Sequence, residues 1–353
     1  MAAKTILDAS SDKSILIIDR NGPTYDKPCG GGVPQECIDE FPFVGKSTCH
    51  TTSEIIVSHR DIRKHFPVKM HMIKRNNMRT TMLTMLIRDT GFSCDVLFNS
   101  IVNHVDIYNK TITVNNGITI HYDWIIGADG VNSVIGKALG FKYPKAIVMV
   151  TSNQSPEEVQ RNIRSEILFL DDLPGGYFWI FPKGDHVNIG MGGDVPGRKL
   201  KEMFEHHFRK LGCNEFHTVG RSAHLIPSGY RYLPRFFSSL IKSRHVILCG
   251  DAATFVNPMT EEGIYYALKS GKEAAEVILG NRTPKDYPSF HAYLKRVQKI
   301  RYEIEDLNIE KSFERIFMDD NTAHDTVKFL FSHSIPDQKT YSEEEKNHIY
   351  NIL

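Results

Sequence analysis

Hydrophobic patterning divides the chain into buried strands at its two ends and an alternating, strand-rich middle. The nearly continuous apolar run SILIIDR at 14–20 reads as a strand buried in a parallel sheet. RHVILCGDAATFVNP at 244–258 reads as a second buried strand followed by a loop. SEIIVSH at 53–59 alternates briefly, and SCDVLFNS, IVNHVDIYN and KTITVNN at 93–116 read as strands, the last two forming a hairpin. Within about 143–235, AIVMVTS, RSEILFL, GYFWIFP and HVNIGMG fit sheet segments. Helical periodicity marks MAAKTILDAS at the start, MRTTMLTMLIRD at 78–89 stopped by Gly91, and EEGIYYALKSGKEAAEVIL at 261–279. A charged helical tail, FHAYLKRVQKIRYEIEDLNIEKSFERIF, follows at 290–317.

This order predicts an α/β fold in which a Rossmann-like nucleotide-binding domain is assembled from separated segments, 1–35, 72–142 and 240–285. A β-rich substrate domain, 36–71 and 143–239, is inserted between them, and 286–353 forms a helical C-terminal region.

The chain has 353 residues, 41% of them hydrophobic, enough for a sizeable core. Lys and Arg number 43 against 42 for Asp and Glu, so nothing in the charge supports a nucleic-acid partner. Six scattered cysteines point to a reducing, cytoplasmic setting, with peripheral membrane contact left open. There is no HExxH or cysteine-pair spacing, so no metal is expected.

Candidate chemistry gathers at the glycines. Gly30, Gly31 and Gly32 follow Cys29 in a segment of turn formers, where the backbone must do what other residues resist. HYDWIIGADGVNSVIGKALG at 121–140 reads as strand, glycine turn and helix start, and Gly250–Asp251 closes the strand HVILC.

Four segments in order, DKPCGGGV (26–33), DWIIGADGVNSVIGKALG (123–140), FWIFPKGDHVNIGMG (178–192) and HVILCGDAATFVNPMTEEGIYYALKSGKEAAEVI (245–278), resemble the FAD-dependent geranylgeranyl reductase family. The likeness extends to the wider flavoprotein group that includes aromatic hydroxylases. It implies FAD as cofactor and reduction of carbon–carbon double bonds in an isoprenoid or prenyl-lipid substrate. Electrons would come from a donor protein or a nicotinamide cofactor. Hydroxylation of a small aromatic compound is the alternative within the fold, and a non-catalytic homologue binding an isoprenoid or a partner is the alternative outside it.

The resemblance assigns Asp19, with Arg20 beside it, to the adenosine ribose, as expected of an acidic residue closing a second strand. Gly250 and Asp251 go to the flavin's ribityl–pyrophosphate region. The helix after Pro258, starting near Gly263 and Ile264, would turn exposed N–H groups toward the flavin's pyrimidine edge. Asp129 and Gly130 suit a structural turn as well as a cofactor contact, and Arg75, just before the 78–89 helix, suits a surface position as well as a cofactor one. Cys29 is the candidate catalytic residue, near the flavin and the substrate channel but not a nucleophile; Gly30 and Gly31 would let its loop approach the ring. Trp179 and Phe181, which alternation puts on one face, and Pro182 belong to a strand lining the family's isoprenoid cavity.

Three features depart from the family pattern. Only eighteen residues precede Asp19 and none is glycine, so the first strand and G-x-G-x-x-G turn are expected upstream of Met1. The pyrophosphate then lacks its nest of backbone donors, no side chain obviously replaces it, and weak FAD binding is expected. Glu261 stands where the family commonly has glycine, and Arg79 where an acidic residue is usual.

Overall fold

The computed structural model describes residues 1–9, 12–89, 94–115, 117–143, 147–154, 164–213, 218–228, 241 and 244–307. The 78–89 helix's Gly91 stop and the tail beyond Leu307 lie outside them.

The nucleotide-domain strands form two parallel ladders. β1 (Ile15–Ile18) pairs with β7 (Cys94–Leu97), and β11 (Ile125–Gly127) pairs with β17 (Val246–Leu248). β17 is fully buried, whereas β1 is not: Leu16 is 39% exposed. The expectation of a buried first strand is corrected here, because among the described residues β1 has one strand neighbour. The predicted hairpin is real and gains a third strand, β8 (Val102–Asp106), β9 (Thr111–Val114) and β10 (Ile118–His121) running antiparallel.

The inserted region is a seven-stranded sheet. Its order is β16 (Thr218–Ile226), β12 (Ile147–Gln154), β15 (Val187–Gly193), β14 (Tyr177–Pro182), β13 (Glu166–Phe169), β4 (Ile55–His59) and β5 (Ile62–Phe66). A small antiparallel sheet, β2 (Gly32–Pro34), β6 (Met70–Ile73) and β3 (Thr48–Thr52), adjoins the glycine turn.

Helices complete the α/β architecture. α1 (Ala2–Ala9) packs on α7 (Ile264–Ile278), α2 (Gln35–Glu40) and α3 (Pro42–Gly45) follow β2, and α4 (Arg75–Asp89) follows β6. α5 (Val134–Ala138) follows β11, and α6 (Gly197–Lys210) covers one face of the large sheet through Leu200, Phe204 and Phe208. α8 (His291–Leu307) closes the nucleotide-domain core with Tyr293, Leu294 and Val297. Among the described residues no helix is long and apolar enough to cross a membrane.

β14 shows how alternation builds the site. Phe178 and Ile180 enter the core shared with α6, while Trp179 and Phe181 enter the opposite cluster with Ile55, Met70 and Met72.

Candidate functional site

The Cys29–Gly32 turn lies directly on that second face. A Cβ at Gly30 would stand 3.2 Å from both the Phe181 ring and Trp179 Nε1, so only a bare backbone packs here without displacing the rings. Gly31 is left-handed, φ 71°, and its N–H donates to Cys29 Sγ at 3.2 Å. A Cβ there would lie 2.3 Å from Lys183 Nζ and 2.5 Å from the Ile73 carbonyl. Lys183, which is buried, donates to that same carbonyl at 2.7 Å. Burial lowers the ammonium's pKa, opposed by Cys29, Cys49 and Asp26.

Trp179 is fixed from behind. Its Nε1 donates to Asn188 Oδ1 at 2.8 Å, and Asn188 Nδ2 donates to Asn153 Oδ1 at 2.7 Å. Tyr177 joins the same face, its ring 5.9 Å from that of Trp179. Pro182 does not: it falls on the opposite side of β14, paired with Val187 of the α6-side core. The strand's own period of two separates it from Trp179 and Phe181.

The Tyr177 hydroxyl donates to the Thr260 carbonyl and so ties the aromatic wall to the loop between β17 and α7. Asn257, buried in that loop, shapes it. Its Oδ1 accepts the N–H groups of Met259 and Thr260 at 2.9 and 3.1 Å, its carbonyl accepts from Glu261 N–H, and its own N–H donates to the Glu262 carbonyl. Pro258 is enclosed within this turn. Gly250 opens the loop, its N–H donating to Ser270 Oγ at 3.0 Å. Asp251 Oδ2 accepts from Lys27 Nζ at 2.7 Å, and a Cβ at Gly263 would approach Asp251 Oδ1 to 3.5 Å and Val256 to 3.0 Å.

The α7 N–H groups are not bare, which corrects the expectation that they are exposed. Glu262 Oε1 accepts Tyr265 N–H at 2.8 Å, with Ile264 N–H also directed at the carboxylate, while the Ile264 side chain belongs to the core. Burial raises the Glu262 carboxyl to about 7, against the pull of these two N–H groups and Arg75. Glu261 adopts φ 54°, the left-handed conformation that favours glycine. Both its carboxyl oxygens are sealed from solvent with no hydrogen-bond partner. Burial pushes this carboxyl well above the usual range; Arg301 opposes the shift and Asp251 adds to it.

At the other end, Arg20, Gly130, Asn132 and His224 line a cavity of about 320 Å³. Burial and then Lys27, Arg20 and Arg75 hold the His224 imidazole below its usual pKa, with Asp251 acting the other way. The structure thus surrounds His224 with the charges of Lys27, Arg20, Arg75 and Asp251, a grouping of residues remote in sequence. Asp129 lies at the rim and caps α5, its Oδ2 accepting Val134 N–H at 2.6 Å. Asp19 closes β1 as expected, but Arg79 donates to its Oδ2 at 2.9 Å and to the Gly22 and Pro23 carbonyls. Arg75 begins α4 instead of preceding it.

No family model matches the chain. The geranylgeranyl diphosphate reductase of Synechocystis sp. is 30% identical over 322 residues, covering 77% of this chain and 72% of that one. The chain belongs to the flavoprotein oxidoreductase superfamily of the geranylgeranyl reductases. The chloroplastic geranylgeranyl diphosphate reductase of Arabidopsis thaliana is 28% identical over 331 residues, covering 84% and 68%. The fold of this flavoprotein matches that of a geranylgeranyl bacteriochlorophyll reductase-like protein from Thermoplasma acidophilum, with TM-score 0.69, 19% identity and coverage of 99% and 92%. General flavin redox chemistry follows from this membership.

Sequence reading of the flavoprotein missed Lys27, Lys183, His224 and Arg301 as members of the site. Lys27 and Lys183 stand inside or beside quoted motifs, DKPCGGGV and FWIFPKGD, so a signal existed for both. His224 and Arg301 become neighbours of the site only through the fold.

Proposed function

We propose that this flavoprotein uses FAD to reduce carbon–carbon double bonds in geranylgeranyl-type isoprenoid chains. The observation that carries the reading is the junction of three parts: the Tyr177–Trp179–Phe181 wall, the Cys29–Gly31 turn packed on it, and the Asp251–Gly263 loop tied to it through Tyr177 and Thr260. A prenyl chain offers only apolar surface, and a buried aromatic face is the surface that would hold it. The substrate named for the Synechocystis and Arabidopsis relatives supports the same class.

The residues present fit a flavin dinucleotide. Arg20 and His224 line a cavity, Lys27 and Arg75 act electrostatically on His224, and these four would hold its phosphates, a role for side chains that the sequence alone did not reveal. Asp19 retains acceptor capacity for ribose hydroxyls beyond its bonds to Arg79 and Asn21, and Asp251 would accept from the ribityl chain. When bound and reduced, a flavin supplies hydride; a nicotinamide or a donor protein would reload it. The chain's own task is to hold the alkene on the aromatic wall and keep water out. Access to a prenyl lipid would be peripheral, aided by the exposed Arg198, Lys199, Lys201, Arg209 and Lys210 of α6 in a cytoplasmic setting.

The test is anaerobic turnover of the FAD-supplemented chain with a chemical reductant and geranylgeranyl diphosphate. Products that gain two hydrogens per double bond support the reading. Oxygen-dependent hydroxylation of an aromatic compound overturns it in favour of a monooxygenase, and lipid retained without any flavin overturns it in favour of a binding protein.

A further inference from the structure

Saturating an alkene requires a proton as well as a hydride, and the site must keep that proton available away from water. Three observations converge on one side chain. Glu261 sits on the Asn257–Gly263 loop, between Thr260, which holds Tyr177, and Glu262, which caps α7. Its two carboxyl oxygens are enclosed and accept no hydrogen bond, a state costly for a carboxylate but tolerable for a carboxylic acid. Its backbone is held in a conformation that costs an L-residue about 1–2 kcal/mol. A position that pays for both strain and an orphaned polar group is a candidate for function.

We infer that Glu261 is the general acid of this site, delivering the proton to the alkene carbon next to the one that receives hydride. The inference rests on the reductase reading above. The step balances: the alkene π bond and the Glu261 O–H bond break, and two C–H bonds form. A bound reduced flavin would supply the hydride and be oxidised by two electrons, and Glu261 ends as a carboxylate. Arg301, buried nearby on α8, offers that carboxylate a positive neighbour. Reprotonation from water during turnover restores the acid.

Three other acids are less suited. Asp251 is engaged by Lys27 at 2.7 Å, and Glu262 by the α7 N–H groups. Tyr177 spends its proton on the Thr260 carbonyl.

The test pairs infrared difference spectra of the purified chain with kinetics of prenyl reduction. In mildly alkaline buffer, where Glu262 at about 7 is ionised, the wild-type chain is expected to keep the carbonyl band of a buried protonated carboxyl, and E261Q to lose it. E261Q and E261G are both expected to lose at least ~100-fold in kcat, the lower end of what a general acid contributes. E261G relieves the left-handed strain, so its loss does not reflect failure to fold. In deuterium oxide the wild type should place deuterium on one face of the product, and residual E261Q turnover should scramble it. A missing wild-type band overturns the inference, as does a band present with E261Q turning over at the wild-type rate. A wild-type chain that reduces no prenyl substrate overturns the functional reading and the donor role with it; the band separates that failure from the first.

Discussion

Replacing Glu261 by glycine is expected to stabilise the fold, and to do so more at neutral than at acid pH. The backbone contribution is the left-handed penalty of about 1–2 kcal/mol, less roughly 0.5–1 kcal/mol for glycine's greater freedom in the unfolded chain. The side chain contributes more, since a buried polar group without a partner costs about 1–3 kcal/mol. The pH dependence follows from the proton balance. Burial raises the folded pKa well above the ordinary value at which the unfolded chain titrates. Between the two values the folded protein keeps a proton that the unfolded chain has released. Stability therefore falls as pH rises through that interval, by about 1.4 kcal/mol per unit. Below the ordinary carboxylate range this cost vanishes. The charged groups facing Glu261 are Arg301, which opposes the shift, and Asp251, which adds to it; Tyr177, also a neighbour, stays neutral because burial raises its own pKa. Urea unfolding of wild type and E261G, on either side of the carboxylate range, should show the variant more stable by roughly 1–4 kcal/mol in acid, with the gap widening by about 1.4 kcal/mol per pH unit toward neutral pH. The opposite sign is the refutation. A variant weaker by about 3–5 kcal/mol, as when a buried ion pair loses one partner, would mean that Glu261 is ionised against Arg301.

Three further outcomes follow from the geometry. Gly31→Ala should cost more than ~3 kcal/mol or abolish soluble expression, and adding K183A should not rescue it, because the Ile73 carbonyl still blocks the new Cβ at 2.5 Å; urea midpoints of both variants decide. Arg79→Ala removes the donor to Asp19, Gly22 and Pro23 and the cation over the Phe98 ring, so it should cost about 1–2 kcal/mol and speed amide exchange in 19–24, with R79K recovering less than half. Tyr177→Phe leaves the Thr260 carbonyl without its donor and should lower stability by about 1–1.5 kcal/mol; an unchanged thermal midpoint would show the bond to be dispensable.

What the sequence made legible was set by local physics. Alternation in GYFWIFP placed Trp179 and Phe181 on one face, and the apolar run around Val246–Leu248 marked a buried strand. The helix at 78–89 was visible through its apolar residues, but its first turn, Arg75-Asn76-Asn77, carries no apolar period, and so Arg75 was placed outside it. α6 offered Leu200, Phe204 and Phe208 four residues apart, a signal present in the chain but left unread among the strands. Burial of β1 was over-read, because an apolar run reports what a strand can bury and not how many neighbours it meets. The pairing of Asp19 with Arg79, sixty positions apart, and the gathering of Lys27, His224 and Asp251 are tertiary facts that no window of sequence contains.

Glutamate at 261 changes the polarity of the loop before α7. A helix N-terminus ordinarily presents donors and attracts an acceptor. At α7, Glu262 has already met those donors with one oxygen and leaves its other, Oε2, buried and unpartnered. Glu261 beside it has both carboxyl oxygens buried without a partner, and burial favours its neutral form. The loop tied to the aromatic wall through Thr260 therefore holds three enclosed carboxyl oxygens without hydrogen-bond partners instead of a row of bare N–H groups. Glycine at 261 would supply neither an acid nor a strained turn, so the substitution that makes this loop less stable is also the one that gives it a proton to deliver.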